Sequence, residues 1–112
     1  MKTEIDAAIQ NVINDTAFVG GKYLKNFETE YAEKYGVKHC IGVGNGTDAL
    51  YIALKALDIG QGDEVITTAS SWIATSEVIT HTGAKVVFAD IDREYYNIDI
   101  DKIEEKISVK TK

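Results

Sequence analysis

The stretch Gly42-Val43-Gly44-Asn45-Gly46-Thr47-Asp48-Ala49-Leu50 lies between an apolar run and a helical pattern, and its residue types suit contact with an anion. Glycines let backbone N–H groups approach a phosphate closely, and a helix that follows points the positive end of its macrodipole at the same place. Thr47 adds a hydroxyl at the helix start, and Asp48 can serve as N-cap or first-turn acid. Glycine-rich turns also arise in α/β proteins for steric reasons alone, so the motif takes its meaning from context. A second turn, Ser70-Ser71-Trp72-Ile73-Ala74-Thr75, places an aromatic and several hydroxyls after another apolar run. Turns of this kind sit at the carboxyl end of a parallel sheet, where ligands collect. A phosphate cradle beside a flat aromatic suits a phosphorylated planar heterocycle, with the Trp72 indole stacked on its ring. The competing reading makes Trp72 a core aromatic at a helix start.

A dinucleotide fingerprint is the first alternative. It requires G-x-G-x-x-G and an acid at the end of the next strand. Here the glycines at 42, 44 and 46 give G-x-G-x-G, and Asp63 and Glu64 precede the next strand instead of ending it. That strand closes in Thr67-Thr68-Ala69-Ser70, with no acid to hold a ribose. The fingerprint is not met.

The elements that position these turns follow from periodicity. Ile5, Ala8, Ile9, Val12 and Ile13 recur at helical spacing, which predicts a helix over about 3–14. Residues 15–22, with Gly20-Gly21, form a loop, and a second helix presents Leu24, Phe27, Tyr31 and Tyr35 before Gly36 stops it. Strands are expected at His39–Val43, Glu64–Thr68 and Lys85–Ala89, and helices at Asp48–Leu57, Trp72–Thr82 and Asp101–Ile107. The final residues, Ile107–Lys112, read as the lead-in to another strand. Strands alternating with helices of about ten residues indicate βαβ units and a parallel sheet. Nearly continuous apolar strands fit a sheet covered by helices on both faces.

Composition excludes several classes. The chain has 112 residues, with 45% hydrophobic and 27% charged, an ordinary globular balance for one small domain or part of a larger one. Eighteen acids against 12 bases leave a net charge of −6, which argues against a nucleic-acid surface. No apolar run approaches the roughly 20 residues of a membrane span. The start, Met1-Lys2-Thr3-Glu4-Ile5-Asp6, lacks a signal-peptide core, so the reading is cytoplasmic. Cys40 is the single cysteine and reads as a small core residue, and no Cys/His cluster has metal-ligand spacing. His39 and His81, without a paired acid or serine motif, read as structural.

The order and separation of several segments carry a resemblance over nearly the whole chain. They are Phe18-Val19-Gly20-Gly21, Phe27-Glu28, Tyr35-Gly36-Val37-Lys38-His39, Gly44-Asn45-Gly46-Thr47-Asp48-Ala49-Leu50, Gly62-Asp63-Glu64-Val65-Ile66, Trp72-Ile73-Ala74-Thr75 and Gly83-Ala84 to Asp92. Together they resemble the start of the DegT-type, pyridoxal-phosphate (PLP)-dependent sugar aminotransferases. The resemblance implies an α/β fold: the large domain of a fold-type-I PLP transferase, a mostly parallel sheet flanked by helices, with residues 1–112 as its incomplete N-terminal part. It implies a smaller C-terminal domain and a homodimer with active sites at the subunit interface. It also implies that Gly46, Thr47 and Asp48 bind the PLP phosphate, that Trp72 stacks on the pyridine ring, and that Gly20 and Gly21 border the substrate entrance. One departure is the absence of proline, which the family often has just after the second strand, where this chain has Thr68.

Transamination also needs a lysine joined covalently to PLP and an acid at the pyridine nitrogen. The family places both downstream of the segments matched here. None of the lysines stands in the matching context, and Lys22 reads as a solvated loop residue. Asp90 and Asp92 read as turn and helix-approach residues. No catalytic residue and no metal ligand is therefore assigned. The expectation is an N-terminal fragment of an enzyme that transfers an amino group from L-glutamate to a nucleotide-linked keto-sugar. It is expected to be inactive alone, whether as a truncation, an expressed fragment or part of a split enzyme. The alternatives are a non-catalytic module that keeps the phosphate cradle or the dimer surface, and a small nucleotide-binding α/β domain. Neither a nucleic-acid nor a membrane partner is expected.

Overall fold

The computed structural model describes residues 1–112. Its elements run α1 (Lys2–Asn14), α2 (Gly21–Tyr35), α3 (Gly46–Ala56), β1 (Glu64–Thr68), α4 (Ile73–Thr82), β2 (Lys85–Ala89) and α5 (Ile100–Glu104). They fall into two compact units, Met1–Gly42 and Val43–Lys112.

The first unit is a pair of helices. α1 ends in a Schellman motif: Ala17 N–H donates to the Val12 carbonyl and Thr16 N–H to that of Ile13. The left-handed residue of that motif is Thr16, at φ 50°, where a glycine would be usual. α2 closes in the same way on Gly36, at φ 65°, and Val37 N–H donates to the Ala32 carbonyl. Phe27, Tyr31 and Tyr35 stand one turn apart along α2, with ring centroids 5.5 and 4.5 Å apart. These rings remain exposed, as do Ile5, Ile9 and Ile13 of α1, and Ala32 is the buried residue of this unit.

The run His39–Val43 forms no strand, contrary to the sequence expectation. A strand exists through the ladder it makes with a neighbour. No strand of this chain pairs with the run, and Gly42 N–H is instead satisfied by Glu28 Oε1 at 2.8 Å.

The second unit is α/β. β1 and β2 run parallel in register from Glu64↔Lys85 to Thr68↔Ala89, with α4 as the crossover. Both strands have the bounds expected from their apolar runs. Ile59, Ile79 and Ala84 form the core, joined by Leu54, Val65 and Val86. Ile59 reaches that core because α3 ends in a further Schellman motif, in which Ile59 N–H donates to the Leu54 carbonyl at 3.1 Å. α3 packs on α4, whose Ala74, Val78 and Ile79 are buried. α5 is shorter than expected: it starts after the Asp99 cap, whose side chain accepts from Asp101 and Lys102 N–H, and ends at Glu104. Asp92 behaves as the turn residue expected, its carboxylate accepting Glu94 and Tyr95 N–H at 2.8 Å each.

The chain's last residues make a single bridge and no strand. Glu64 and Thr111 form an isolated parallel bridge on the side of β1 away from β2. No helix is long and apolar enough to cross a membrane.

Candidate functional site

The start of α3 is a side-chain-capped helix N-terminus that follows the glycine turn. Asn45, in extended backbone conformation, is the N-cap, and its Oδ1 accepts Asp48 N–H at 2.9 Å. Its Nδ2 donates to Asp48 Oδ2 at 3.0 Å. The helix therefore begins at Gly46, two residues earlier than the apolar pattern indicated. Sequence reasoning gave Asn45 no role, although Asn followed three residues later by an acid is a capping signal.

This clasp decides which donors remain. Asp48 N–H is committed to Asn45, and Ala49 N–H to the Asn45 carbonyl. Gly46 N–H and Thr47 N–H occupy the first two helical positions, where no intrahelical acceptor exists, so they face outward with the helix dipole behind them. Thr47 is half-buried and Gly46 exposed. The Asp48 carboxylate, in the first turn, complements the dipole and is oriented by Asn45.

The three glycines of the turn separate into two kinds. A Cβ on Gly42 would lie 2.5 Å from Leu24 Cδ1, and one on Gly44 would lie 2.8 Å from Asp48 Oδ2, so a side chain at either place would have to displace the end of a neighbouring one. A Cβ on Gly46 would meet nothing within 4 Å, and its backbone needs no positive φ. Nothing within the chain demands glycine at position 46. A ligand approaching the backbone from outside would, because a Cβ there would stand in the cradle.

Trp72 lies at the N-terminal cap of α4, beyond the carboxyl end of β1, with backbone φ −62° and ψ 140°. It is 79% exposed, which removes the reading of a core aromatic. Its carbonyl accepts Thr75 N–H at 2.9 Å, and Ser71 and Thr75 share a hydroxyl–hydroxyl hydrogen bond of 2.9 Å. Ser70 N–H donates to Thr68 Oγ1 at 3.1 Å. The indole is thus held out on a hydrogen-bonded turn with a free face. Its helix packs on α3, and no hydrogen bond ties Trp72 itself to the 44–48 turn.

Gly20 and Gly21 belong to the first unit, at the start of α2, with φ of 63° and 82° and open space around both. The neighbouring Phe18 and Val19 are exposed. Asp15 closes this loop, accepting from Lys22 Nζ at 2.7 Å and from Tyr23 Oη at 2.5 Å. Hydrogen bonds from Lys22 and then Tyr23 hold the Asp15 carboxyl below its ordinary range, and Asp15 holds the Lys22 ammonium above its own. An amine kept protonated is a poor nucleophile, and Lys22 lies in the first turn of α2 instead of the loop expected from the sequence.

The residues present fit a phosphate at Gly46 and Thr47 and a planar ring at Trp72. Residues 1–112 match the DegT/DnrJ/EryC1/StrS aminotransferase family throughout. The chain is 45% identical over 112 residues to a pleiotropic regulatory protein of Geobacillus stearothermophilus, covering all of this chain and 30% of that protein. It is 42% identical over 112 residues to the UDP-2-acetamido-2-deoxy-3-oxo-D-glucuronate aminotransferase of Pseudomonas aeruginosa, covering all of this chain and 31% of the relative. The solved structure of S. venezuelae DesV in complex with a ketimine intermediate superposes with a TM-score of 0.93 at 35% identity, over 99% of this chain and 30% of that one. The chain thus spans about 30% of the length of the relatives it matches.

Proposed function

Because this chain belongs to the DegT/DnrJ/EryC1/StrS aminotransferase family, we propose that it contributes the phosphate cradle and ring-stacking face of a PLP-dependent enzyme. The enzyme's reaction in this reading moves an amino group from L-glutamate to a nucleotide-linked keto-sugar, in cell-surface polysaccharide or deoxyaminosugar biosynthesis. The observation that carries the reading is the pair of uncommitted N–H groups at Gly46 and Thr47, beside a glycine that nothing inside the chain requires.

PLP, when bound, supplies the electron sink for transamination. Gly46 and Thr47 hold its phosphate through backbone N–H groups and the Thr47 hydroxyl. Asp48 keeps the helix start capped and complements its dipole, and Trp72 offers an apolar face to the pyridine ring. Gly20 and Gly21 shape the loop that borders the sugar nucleotide. In this reading none of these residues anchors the cofactor covalently or pairs with its ring nitrogen, and this chain alone does not transaminate. The enzyme in this reading is a cytoplasmic homodimer whose anchoring lysine and nitrogen-pairing acid come from polypeptide beyond these residues.

The test is a PLP titration of the purified chain, read by quenching of Trp72 fluorescence and by amide shifts at Gly46 and Thr47. Saturable changes at both places, with no borohydride-fixed adduct on any lysine, are the expected result. A fixed adduct mapped to a lysine of this chain would overturn the assignment of the anchor elsewhere. Nucleotide binding indifferent to PLP would favour the small nucleotide-binding domain instead. PLP binding that never supports transamination, even with the rest of an enzyme of this family supplied, would favour a non-catalytic module.

A further inference from the structure

Asn45 and Gly46 form a chemically reactive pair, and this property is independent of the cofactor reading. Asn11, Asn14, Asn26 and Asn97 precede Val12, Asp15, Phe27 and Ile98, whereas Asn45 precedes a glycine. The main-chain nitrogen that follows an asparagine can attack its side-chain amide, and a Cβ on the following residue obstructs that approach. No Cβ stands in the way at Gly46, and the space where one would lie is empty for 4 Å around. Both residues are exposed to water. Gly46 N–H, at the first helical position, is held by no acceptor within the helix.

The attack requires the Gly46 nitrogen to give up its proton, and two features of the fold favour that loss. The positive end of the α3 dipole lies at this nitrogen and stabilises the charge left on it. The Asn45 carbonyl, in the same peptide group, accepts Ala49 N–H at 3.1 Å and so draws electron density from the nitrogen. One feature opposes the reaction. Asn45 Oδ1 accepts Asp48 N–H at 2.9 Å and Asn45 Nδ2 donates to Asp48 Oδ2 at 3.0 Å, so both ends of the amide are committed. The side chain must leave Asp48 before it can turn onto its own peptide.

We propose that Asn45-Gly46 is a site of spontaneous deamidation, held in check by Asp48. The Gly46 nitrogen bonds to Asn45 Cγ, the Cγ–Nδ2 bond breaks, and Nδ2 leaves as ammonia with the proton that Gly46 gave up. Water then opens the cyclic imide. Opening at Cγ leaves aspartate, and opening at the main-chain carbonyl leaves isoaspartate. The net change is hydrolysis of an amide, with nothing oxidised or reduced. Aspartate at position 45 would set a second carboxylate against that of Asp48. Isoaspartate would insert a methylene into the main chain at the helix cap. Either product undoes the clasp from which α3 starts.

The test incubates the folded chain at mildly alkaline pH and follows peptide masses and isoaspartate content with time. Asn45 should convert ahead of Asn11, Asn14, Asn26 and Asn97. Gly46→Ala, which places a Cβ beside the nitrogen in open space, should slow the conversion severalfold. Asp48→Ala should speed it about fivefold, the equilibrium worth of one side-chain hydrogen bond. Asp48→Asn, which keeps an acceptor for Asn45 Nδ2, should stay close to the natural rate. Hydrogen exchange at the β1 and β2 amides shows that each variant is folded, and Gly46→Ala keeps the test valid even if Asp48→Ala is not. Conversion at Asn45 no faster than at the other asparagines, or an unchanged rate in Gly46→Ala, overturns the proposal. An unchanged rate in folded Asp48→Ala overturns Asp48 as the restraint.

Discussion

Asn45 and Asp48 clasp each other across the first turn of α3, each acting as donor and acceptor to the other at 2.9 and 3.0 Å. The clasp ties off the third N–H of the helix and leaves the first two directed outward. Asn45→Ala removes the cap and should cost about 1 kcal/mol of unfolding free energy in urea titrations. It should also weaken PLP binding, because the turn that aims Gly46 and Thr47 loses its brace.

Gly46→Ala separates stability from binding. With space around the new Cβ and no positive φ to strain, the substitution should leave stability unchanged or raise it by up to about 1 kcal/mol. PLP or inorganic phosphate affinity should nevertheless fall, read from the Thr47 amide shift. A loss of stability equal to that of a core mutant would mean that the cradle geometry described here is wrong.

Trp72→Ala should change the unfolding free energy by no more than about 0.5 kcal/mol, because the side chain is 79% exposed. PLP affinity should drop severalfold, whereas Trp72→Phe should retain much of it. Equilibrium dialysis of the two variants against PLP distinguishes a ring-stacking role from none.

Acid should weaken the contacts of Glu64, whose carboxylate accepts from Lys85 Nζ at 2.9 Å and from Ser108 Oγ at 2.7 Å. The Lys85 and then the Ser108 hydrogen bonds hold the Glu64 carboxyl below its ordinary range. A carboxyl with a lowered folded pKa contributes stability that is complete above its unfolded value, at about pH 5 and higher, and that is lost as pH falls through the folded value. Urea unfolding between pH 3 and 7 should therefore show a steeper acid decline for the natural chain than for Glu64→Gln. Identical slopes would refute a stabilising role for the ionised Glu64 carboxylate.

Thr16→Gly should stabilise α1 and its junction. A β-branched residue at φ 50° pays a steric penalty that glycine avoids, and the gain should be about 0.5–1 kcal/mol after the greater flexibility of the unfolded glycine is counted. Thermal melts of the two chains supply the comparison.

β1 and β2 were legible to the residue because each is a short apolar run rich in β-branched residues between Gly/Asp turn signals. The run at His39–Val43 has the same local character, but a strand needs a partner, and pairing is not a property of the run itself. The Asp48 helix start was misplaced by two residues for a related reason: apolar spacing marks where a helix packs, and the Asn45 side chain marks where it begins. The phosphate-cradle reading rested on glycines as a group. Only the folded geometry distinguishes Gly42 and Gly44, close to the side-chain ends of Leu24 and Asp48, from Gly46, around which a Cβ would meet nothing inside the chain. Trp72 was placed at its turn by sequence, and its exposure settled the choice between core and surface.

The first unit withdraws almost nothing from water apart from Ala32, while Ile5, Ile9, Ile13 and the Phe27–Tyr31–Tyr35 ladder stay wet. Local opening costs little where few apolar contacts are lost. The two halves should accordingly part company under protease: nicks gather before Gly42, and a resistant remnant holding β1, α4 and β2 persists.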